Sequence, residues 1–171
     1  MSESVASLIQ AKGNSIQPGD VYVSNNPYNG GTHLPDITVI TPVFLELRLM
    51  GSEMVGSAHP PIPLFYVASR GHHADIGGIT PGSMPPDSKT IEDEGILIDN
   101  FKLIEQGKFR EVAISELLQS GPYPVRNLTQ NLADLQAQVA ANKRGVQELQ
   151  RMVAHYRLEQ VQAYMQHVQD N

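Results

Sequence analysis

The chain has no cysteine. That excludes a disulfide framework and any thiolate metal site, and it leaves nothing to suggest an oxidising compartment. No apolar run approaches the ~18 residues of a transmembrane helix. The N-terminal stretch MSESVASLIQAKG has neither the basic start nor the long apolar core of a signal peptide. A cytoplasmic protein with no membrane association is the expectation. Basic residues are few: 12 Lys and Arg stand against 18 Asp and Glu, for a formal charge of −6. They are scattered, which argues against a nucleic-acid binder. Also missing are a GxxxxGK[ST] loop and any GxGxxG opening a helix, so no nucleotide site is expected here.

What remains is 171 residues, 40% hydrophobic, enough for one domain with a buried core. Fourteen glycines and twelve prolines predict much loop. The chain reads as a single domain, 1–171, in two regions. Residues 17–118 hold a strand-and-loop site region, and residues 127–171, with one glycine and no proline, are helical. Strands are expected at Val21–Val23, Ile37–Ile40 and Leu64–Ser69. Ser2–Lys12 is a short amphipathic segment that stops at Gly13 and reads as a helix trimmed from something larger. In the helical region Leu132, Leu135, Val139, Val146, Leu149, Val153 and Tyr156 form a seam, with Asn142 in its middle slot. Leu158, Val161, Met165 and Val168 continue it after a phase break near Tyr156. A helix packed on its own domain is the main reading; a helical hairpin or subunit interface is the alternative. Gly145 weakens this helix by about 1 kcal/mol relative to Ala.

Two short motifs match each other across the loop-rich region: Thr32-His33-Leu34-Pro35-Asp36 and Gly71-His72-His73-Ala74-Asp75. Each contains His-x-x-Asp in glycine-rich surroundings. Neutral imidazoles with carboxylates suit Zn, Mn, Fe and similar divalent ions, and leave positions for water or substrate. Pro35 and the glycines argue against helices, so loop geometry is expected to bring the motifs together. If residues 72–75 were extended, His73 and Asp75 would share a face and His72 would point the other way. Which histidine binds stays open. One His-x-x-Asp is a weak signal, because carboxylate-oriented histidines are common; two copies strengthen it. His59, His155 and His167 read as solvated or capping residues. Ser69-Arg70 offers a nucleophile and an anion clamp, set against the plainer reading of Ser69 as a strand-end residue with ordinary hydrogen bonds.

Longer stretches carry a resemblance. GDVYVSNNPYNGGTHLPDITVITPVF and FYVASRGHHADIGGITPGSMPPDS resemble the hydantoinase B/oxoprolinase family. Glu92-Asp93-Glu94-Gly95, FKLIEQGKF (101–109), RNLTQNLADLQAQVAANKRGVQEL (126–149) and VQAYMQHVQDN (161–171) look like the C-terminal, B-like half of ATP-dependent 5-oxoprolinases. The match runs in order over nearly all of 17–171. It implies an α+β fold, a partial hydantoinase B-like domain with short strands and long Gly/Pro-rich loops before C-terminal helices. The implied function is hydrolysis of 5-oxo-L-proline to L-glutamate, with this chain a fragment or small subunit. ATP and Mg belong to a separate hydantoinase A-like half, the implied partner in an oligomer. A divalent metal (Mn, Zn or Fe) would sit on His33, Asp36, His72 and Asp75. Relatives often have Trp where His73 stands, which ranks His72 above it. Ser69, Arg70 and His73 would serve catalysis. Asn26 would line the substrate pocket, and Gly30, Gly31, Gly77 and Gly78 would let backbone approach it. The alternatives are a hydantoin hydrolase or ketone carboxylase subunit, or a non-catalytic remnant that binds a partner through its helices. Three departures stand out. The chain is far shorter than a complete B-like half. Leu45–Leu64 is a longer link than usual and is expected to be an exposed, poorly packed loop. Arg157 replaces a helix-ending glycine, so it either adopts a left-handed conformation at a cost of about 1 kcal/mol or lets the helix run on.

Overall fold

The computed structural model describes residues 1–44, 62–82 and 85–170. The loop expected over Leu45–Leu64 falls almost wholly on residues outside these. Five strands form one antiparallel sheet: β1 (Val21–Ser24), β2 (Asp36–Val43), β3 (Phe65–His72), β4 (Phe101–Glu105) and β5 (Lys108–Phe109), in the order β3-β2-β1-β4-β5. Helices α1 (Ser2–Lys12), α2 (Ile91–Glu94), α3 (Glu111–Leu118), α4 (Leu128–Tyr156) and α5 (Leu158–Gln169) complete an α+β fold. Among the described residues, no helix is long and apolar enough to cross a membrane.

Both faces of the sheet are covered, and the strand sequences reflect it. Val23 pairs with Val39, and both join Ile37, Leu103, Ile114, Leu118 and Leu135 in the main core, under α3 and α4. Tyr22 pairs with Ile40, and these turn the other way, against Leu8 and Val5 of α1. Because side chains alternate, a strand covered on both faces reads as a nearly continuous apolar run. The three expected strands are present, with β2 and β3 running further than the apolar runs indicated. The hairpin β4–β5 was not expected. Its two-residue turn, Gln106-Gly107, has φ of 47° and 84°, the double positive φ that tight hairpins favour.

Helix α4 follows the expected seam and packs on its own domain. Leu135, Leu149 and Val153 are buried, and so is Asn142. Asn142 Nδ2 donates to the backbone carbonyl of Val39 at 2.9 Å, and also lies 3.3 Å from Val67 O and Thr41 Oγ1. Gly145 has a packing reason. A Cβ there would stand 2.9 Å from Val67 Cγ1 on β3, so the small residue lets helix and sheet approach closely. Tyr156 is 54% exposed and lies outside the seam. At Arg157 the chain takes φ 70° and ψ 154°, and the helix stops there. A left-handed φ costs an arginine about 1 kcal/mol or more. Val161 and Leu158 then pack beside Leu149 and Val153. Met165 and Val168 are exposed, so the seam's expected continuation is buried only at its start.

On the far side of the sheet, Asp20 is fully buried beside Lys102 Nζ, 2.9 Å away, and accepts from Tyr22 Oη and the backbone N–H groups of Gln17 and Gln106. Burial pushes its carboxyl up, but Lys102 and the two backbone donors outweigh that, so the net shift is below the usual carboxylate range. Its contribution to stability is therefore complete above the unfolded carboxylate's range and disappears as pH falls through the lowered folded value. Urea unfolding across acid pH is expected to show that loss, and Asp20→Asn to remove the dependence while costing about 3 kcal/mol at neutral pH, because it strands a half-shielded lysine. For Gly145→Ala, the helix-propensity gain of about 1 kcal/mol is opposed by overpacking against Val67, typically 1–3 kcal/mol. Net destabilisation by roughly 1 kcal/mol is expected, relieved in combination with Val67→Ala, where the two changes cost less than their sum.

Candidate metal centre

The first motif is held by its neighbours before it reaches β2. Asn26 Oδ1 caps the turn 27–29 by accepting from Tyr28 N, 2.9 Å away. Gly30 has φ 83°, and a Cβ there would collide with the backbone of Glu3 and Ser4, so the loop lies directly against the start of α1. Asn25, fully buried, donates to Leu34 O (2.8 Å) and Ile96 O (2.9 Å), and accepts from Ile98 N (2.6 Å). Leu34 is itself buried, and its position between His33 and Asp36 fixes the motif from within. His73 N donates to Pro35 O at 2.8 Å, which ties the second motif to the first.

The convergence comes from strand register, not from loops as the sequence led us to expect. Asp36 is the first residue of β2 and His72 the last of β3, and the two are direct partners across the antiparallel pair. His72 Nδ1 lies 3.0 Å from Asp36 Oδ1. His33, three residues before Asp36, brings its Nδ1 within 2.9 Å of Oδ2. Thr32 Oγ1 donates to the same oxygen at 2.6 Å. One carboxylate thus joins two imidazoles, whose rings are 5.1 Å apart between centroids. One nitrogen or oxygen from each of His33, Asp36 and His72 lies within 4.8 Å of the others. Burial pulls the Asp36 carboxyl up, but the Thr32 and His72 hydrogen bonds and both imidazoles hold it below the usual carboxylate range. Both Nδ1 atoms and the Asp36 carboxylate face one point, and in its Nε2–H tautomer each imidazole offers a lone pair there. Two imidazoles and a carboxylate, half open to solvent, are a donor set that a divalent transition ion fits.

Strand alternation also answers which histidine faces Asp36. His72 does. His73 turns to the opposite face, where it is buried with Nδ1 2.8 Å from Asn131 Oδ1 and Nε2 3.3 Å from Gln138 Oε1, both on α4. The segment after His72 is not strand, and His73 and Asp75 meet different partners, Asn131 and Gln138 for the first and Arg126 for the second. Asp75 is not in the ligand group. Its Oδ1 accepts from Arg126 Nη1 (2.7 Å) and its Oδ2 from Arg126 N (2.6 Å). The expectation that four side chains converge is therefore met by three. Ser69 lies on the α4 face, its Oγ buried without a hydrogen-bond partner, away from the cluster. Arg70 lies on the cluster's face, across from Thr38, to whose Oγ1 its Nε donates at 2.8 Å. Gly31, Gly77 and Gly78 are crowded by protein backbone, at Asn25–Asn26, Tyr123 and Asp93–Glu94 respectively. At these positions the missing Cβ lets the chain pack closely on itself. Sequence reasoning missed Thr32, Asn25 and Arg126. Only Thr32 carried a local signal, since it belongs to the first motif.

A model of the family described as hydantoinase B/oxoprolinase matches residues 1–171. The chain is 47% identical to "5-oxoprolinase 1" of Arabidopsis thaliana and 44% identical to "5-oxoprolinase" of Dictyostelium discoideum, in both cases over its whole length. It spans only 13% and 12% of those two proteins. Among solved structures it resembles the ATP-dependent caprolactamase of Pseudomonas jessenii, with a TM-score of 0.74 and 30% identity, over 94% of this chain and 24% of that one. A single family thus accounts for the full sequence, the α+β architecture and the paired His-Asp motifs: the chain belongs to the hydantoinase B/oxoprolinase family.

Proposed function

We propose that this chain supplies the metal-bearing site of an ATP-dependent cyclic amide hydrolase of the 5-oxoprolinase type, which opens 5-oxo-L-proline to L-glutamate. The observation that carries this reading is the Asp36 carboxylate joining His33 and His72 on one sheet face, in a chain matched end to end by 5-oxoprolinases. His33, Asp36 and His72 would hold a divalent ion (Mn, Zn or Fe). Such an ion, when bound, lowers the pKa of water and polarises a carbonyl oxygen. The chain's own residues do the positioning. Thr32 fixes Asp36, the strand pair fixes His72, and the buried Leu34 fixes His33. Asp75, held by Arg126, braces the loop after β3 instead of serving as a ligand.

A lactam is a poor electrophile at neutral pH, so activation by phosphoryl transfer belongs to another part of the enzyme. This sequence has no phosphate-binding loop, and it corresponds to about an eighth of the length of its plant and amoebal relatives. A hydantoinase A-like half, carrying ATP and Mg, is the partner this reading requires. The assembly would be cytoplasmic and oligomeric. Its substrate-facing residues would lie on the cluster's face of the sheet, which includes Arg70 and excludes Ser69 and His73.

Two measurements test this. Titration of the purified chain with Zn or Mn is expected to show one site. His33→Ala, Asp36→Ala and His72→Ala should each weaken it at least about tenfold, while Asp75→Ala lowers the melting temperature and leaves metal affinity alone. Equal binding by all four variants would refute the ligand assignment. Incubation of the metal-loaded chain with ATP and 5-oxo-L-proline is expected to release no glutamate. Sustained release without a second protein would show that the phosphorylating function is not separate.

A further inference from the structure

We propose that Arg70 is the group that reads the substrate's charge: it holds a carboxylate beside the His33–Asp36–His72 cluster and makes the site selective for anionic over neutral lactams. The inference rests on the cyclic amide reading above and adds a specificity to it.

Arg70 stands two residues before His72 on β3, and its partner Thr38 stands two residues after Asp36 on β2. Arginine and cluster therefore share a face, one strand repeat apart, or about 7 Å along the strand. A small ring with a carbonyl on one side and a carboxylate on the other can span that separation. The guanidinium is held in place. Nε donates to Thr38 Oγ1 at 2.8 Å, and Nη2 donates to Ser4 Oγ at 2.9 Å and to Gly30 O at 3.0 Å. All three acceptors are neutral. Among the described residues no carboxylate lies within ion-pair distance of Arg70, and its Nη1 makes no hydrogen bond to them.

Among the described arginines, Arg110, Arg126, Arg144 and Arg151 each pair with a carboxylate. Arg157 also lacks one, but it is exposed at the end of α4, where water shares its charge. Arg70 is half-buried. A partly desolvated cation with an immobilised fork has no complementary charge among the described residues. A bound carboxylate supplies it. Because three hydrogen bonds already fix the fork, little side-chain freedom is lost on binding.

A purely structural role, tying α1 and the Gly30 loop to the sheet, predicts a different pattern, so the test separates the two. Binding of 5-oxo-L-proline, 2-pyrrolidinone (the same ring without the carboxylate) and acetate to the Zn-loaded full chain is followed by NMR titration. The wild type is expected to bind 5-oxo-L-proline at least tenfold more tightly than 2-pyrrolidinone. Arg70→Gln should abolish that preference and leave Zn affinity intact, and Arg70→Lys should restore part of it. Ser4→Ala cuts the same structural tie without removing the charge. It should lower the melting temperature and keep the preference. If Arg70→Gln does not fold, Arg70→Lys against Ser4→Ala carries the test: equal preference in both overturns the inference. It is also overturned if the wild type binds both lactams equally well, or if Arg70→Gln keeps the preference. If neither lactam binds but acetate does in an Arg70-dependent way, the cyclic amide reading fails and the anion-reading role stands. If none of the three binds, both fall.

Discussion

The register between β2 and β3 is the constraint on which the site depends. It pairs Asp36 with His72 and Thr38 with Arg70. Strand side chains alternate with a period of two, so a slip of one residue would turn one of these strands over. His73 would then oppose Asp36, and Gly71 would take Arg70's place across from Thr38. The chain carries chemically plausible residues at both phases, and only the pairing decides which set meets. His33 comes from the same strand start and needs only the short turn before Asp36 to join them.

The register is in turn held by α4, through polar groups as well as apolar ones. Ile37 and Val39 send side chains into the core beneath the helix. Gln138 Nε2 donates to Ile37 O and Asn142 Nδ2 to Val39 O. Asn131 and Gln138 together enclose His73. A buried amide that must find a particular carbonyl penalises any shifted alignment, because a slip leaves it unsatisfied. The asparagine in the middle of the helical seam is thus part of what aligns the strands on the opposite side of which the cluster sits. Gly145 belongs to the same device, since it sets how closely helix and β3 approach.

The two faces of the sheet divide the labour. The α4 face carries the main apolar core, with amides from α4 bonded to strand carbonyls. The other face is covered by α1 over Tyr22 and Ile40 and turns polar toward the ends of β2 and β3, where Asp36, Thr38, Arg70 and His72 lie side by side. In the relatives this segment is a small part of a much longer protein. A half-open cluster at a sheet end is a form that other segments can cover, and closure would exclude water from a reaction centred there.

Much of this was legible in the sequence for definite reasons. Apolar runs bounded by glycine and proline marked β1, β2 and β3, and a seven-residue period with one asparagine marked α4. Spacing and residue type marked His33, Asp36, Asp75 and one of His72 and His73 as candidate ligands, and the family resemblance ranked His72 first. The hairpin β4–β5 was missed because two short strands around Gln106-Gly107 make no clear alternation. What tertiary structure alone decided was partnership. Asp75 and Asp36 occupy the same place in matching motifs, yet Asp75 meets Arg126 from fifty-one residues away, and no local pattern encodes that. His72 and His73 are neighbours with the same chemistry, and which one meets Asp36 follows from the last strand residue and its face. Gly30, Gly77 and Gly78, expected beside a pocket, pack against backbone from distant segments, which no local pattern encodes. Local sequence determines which groups are available and what conformations they prefer; their partners are set by packing between distant segments, where burial and register act together.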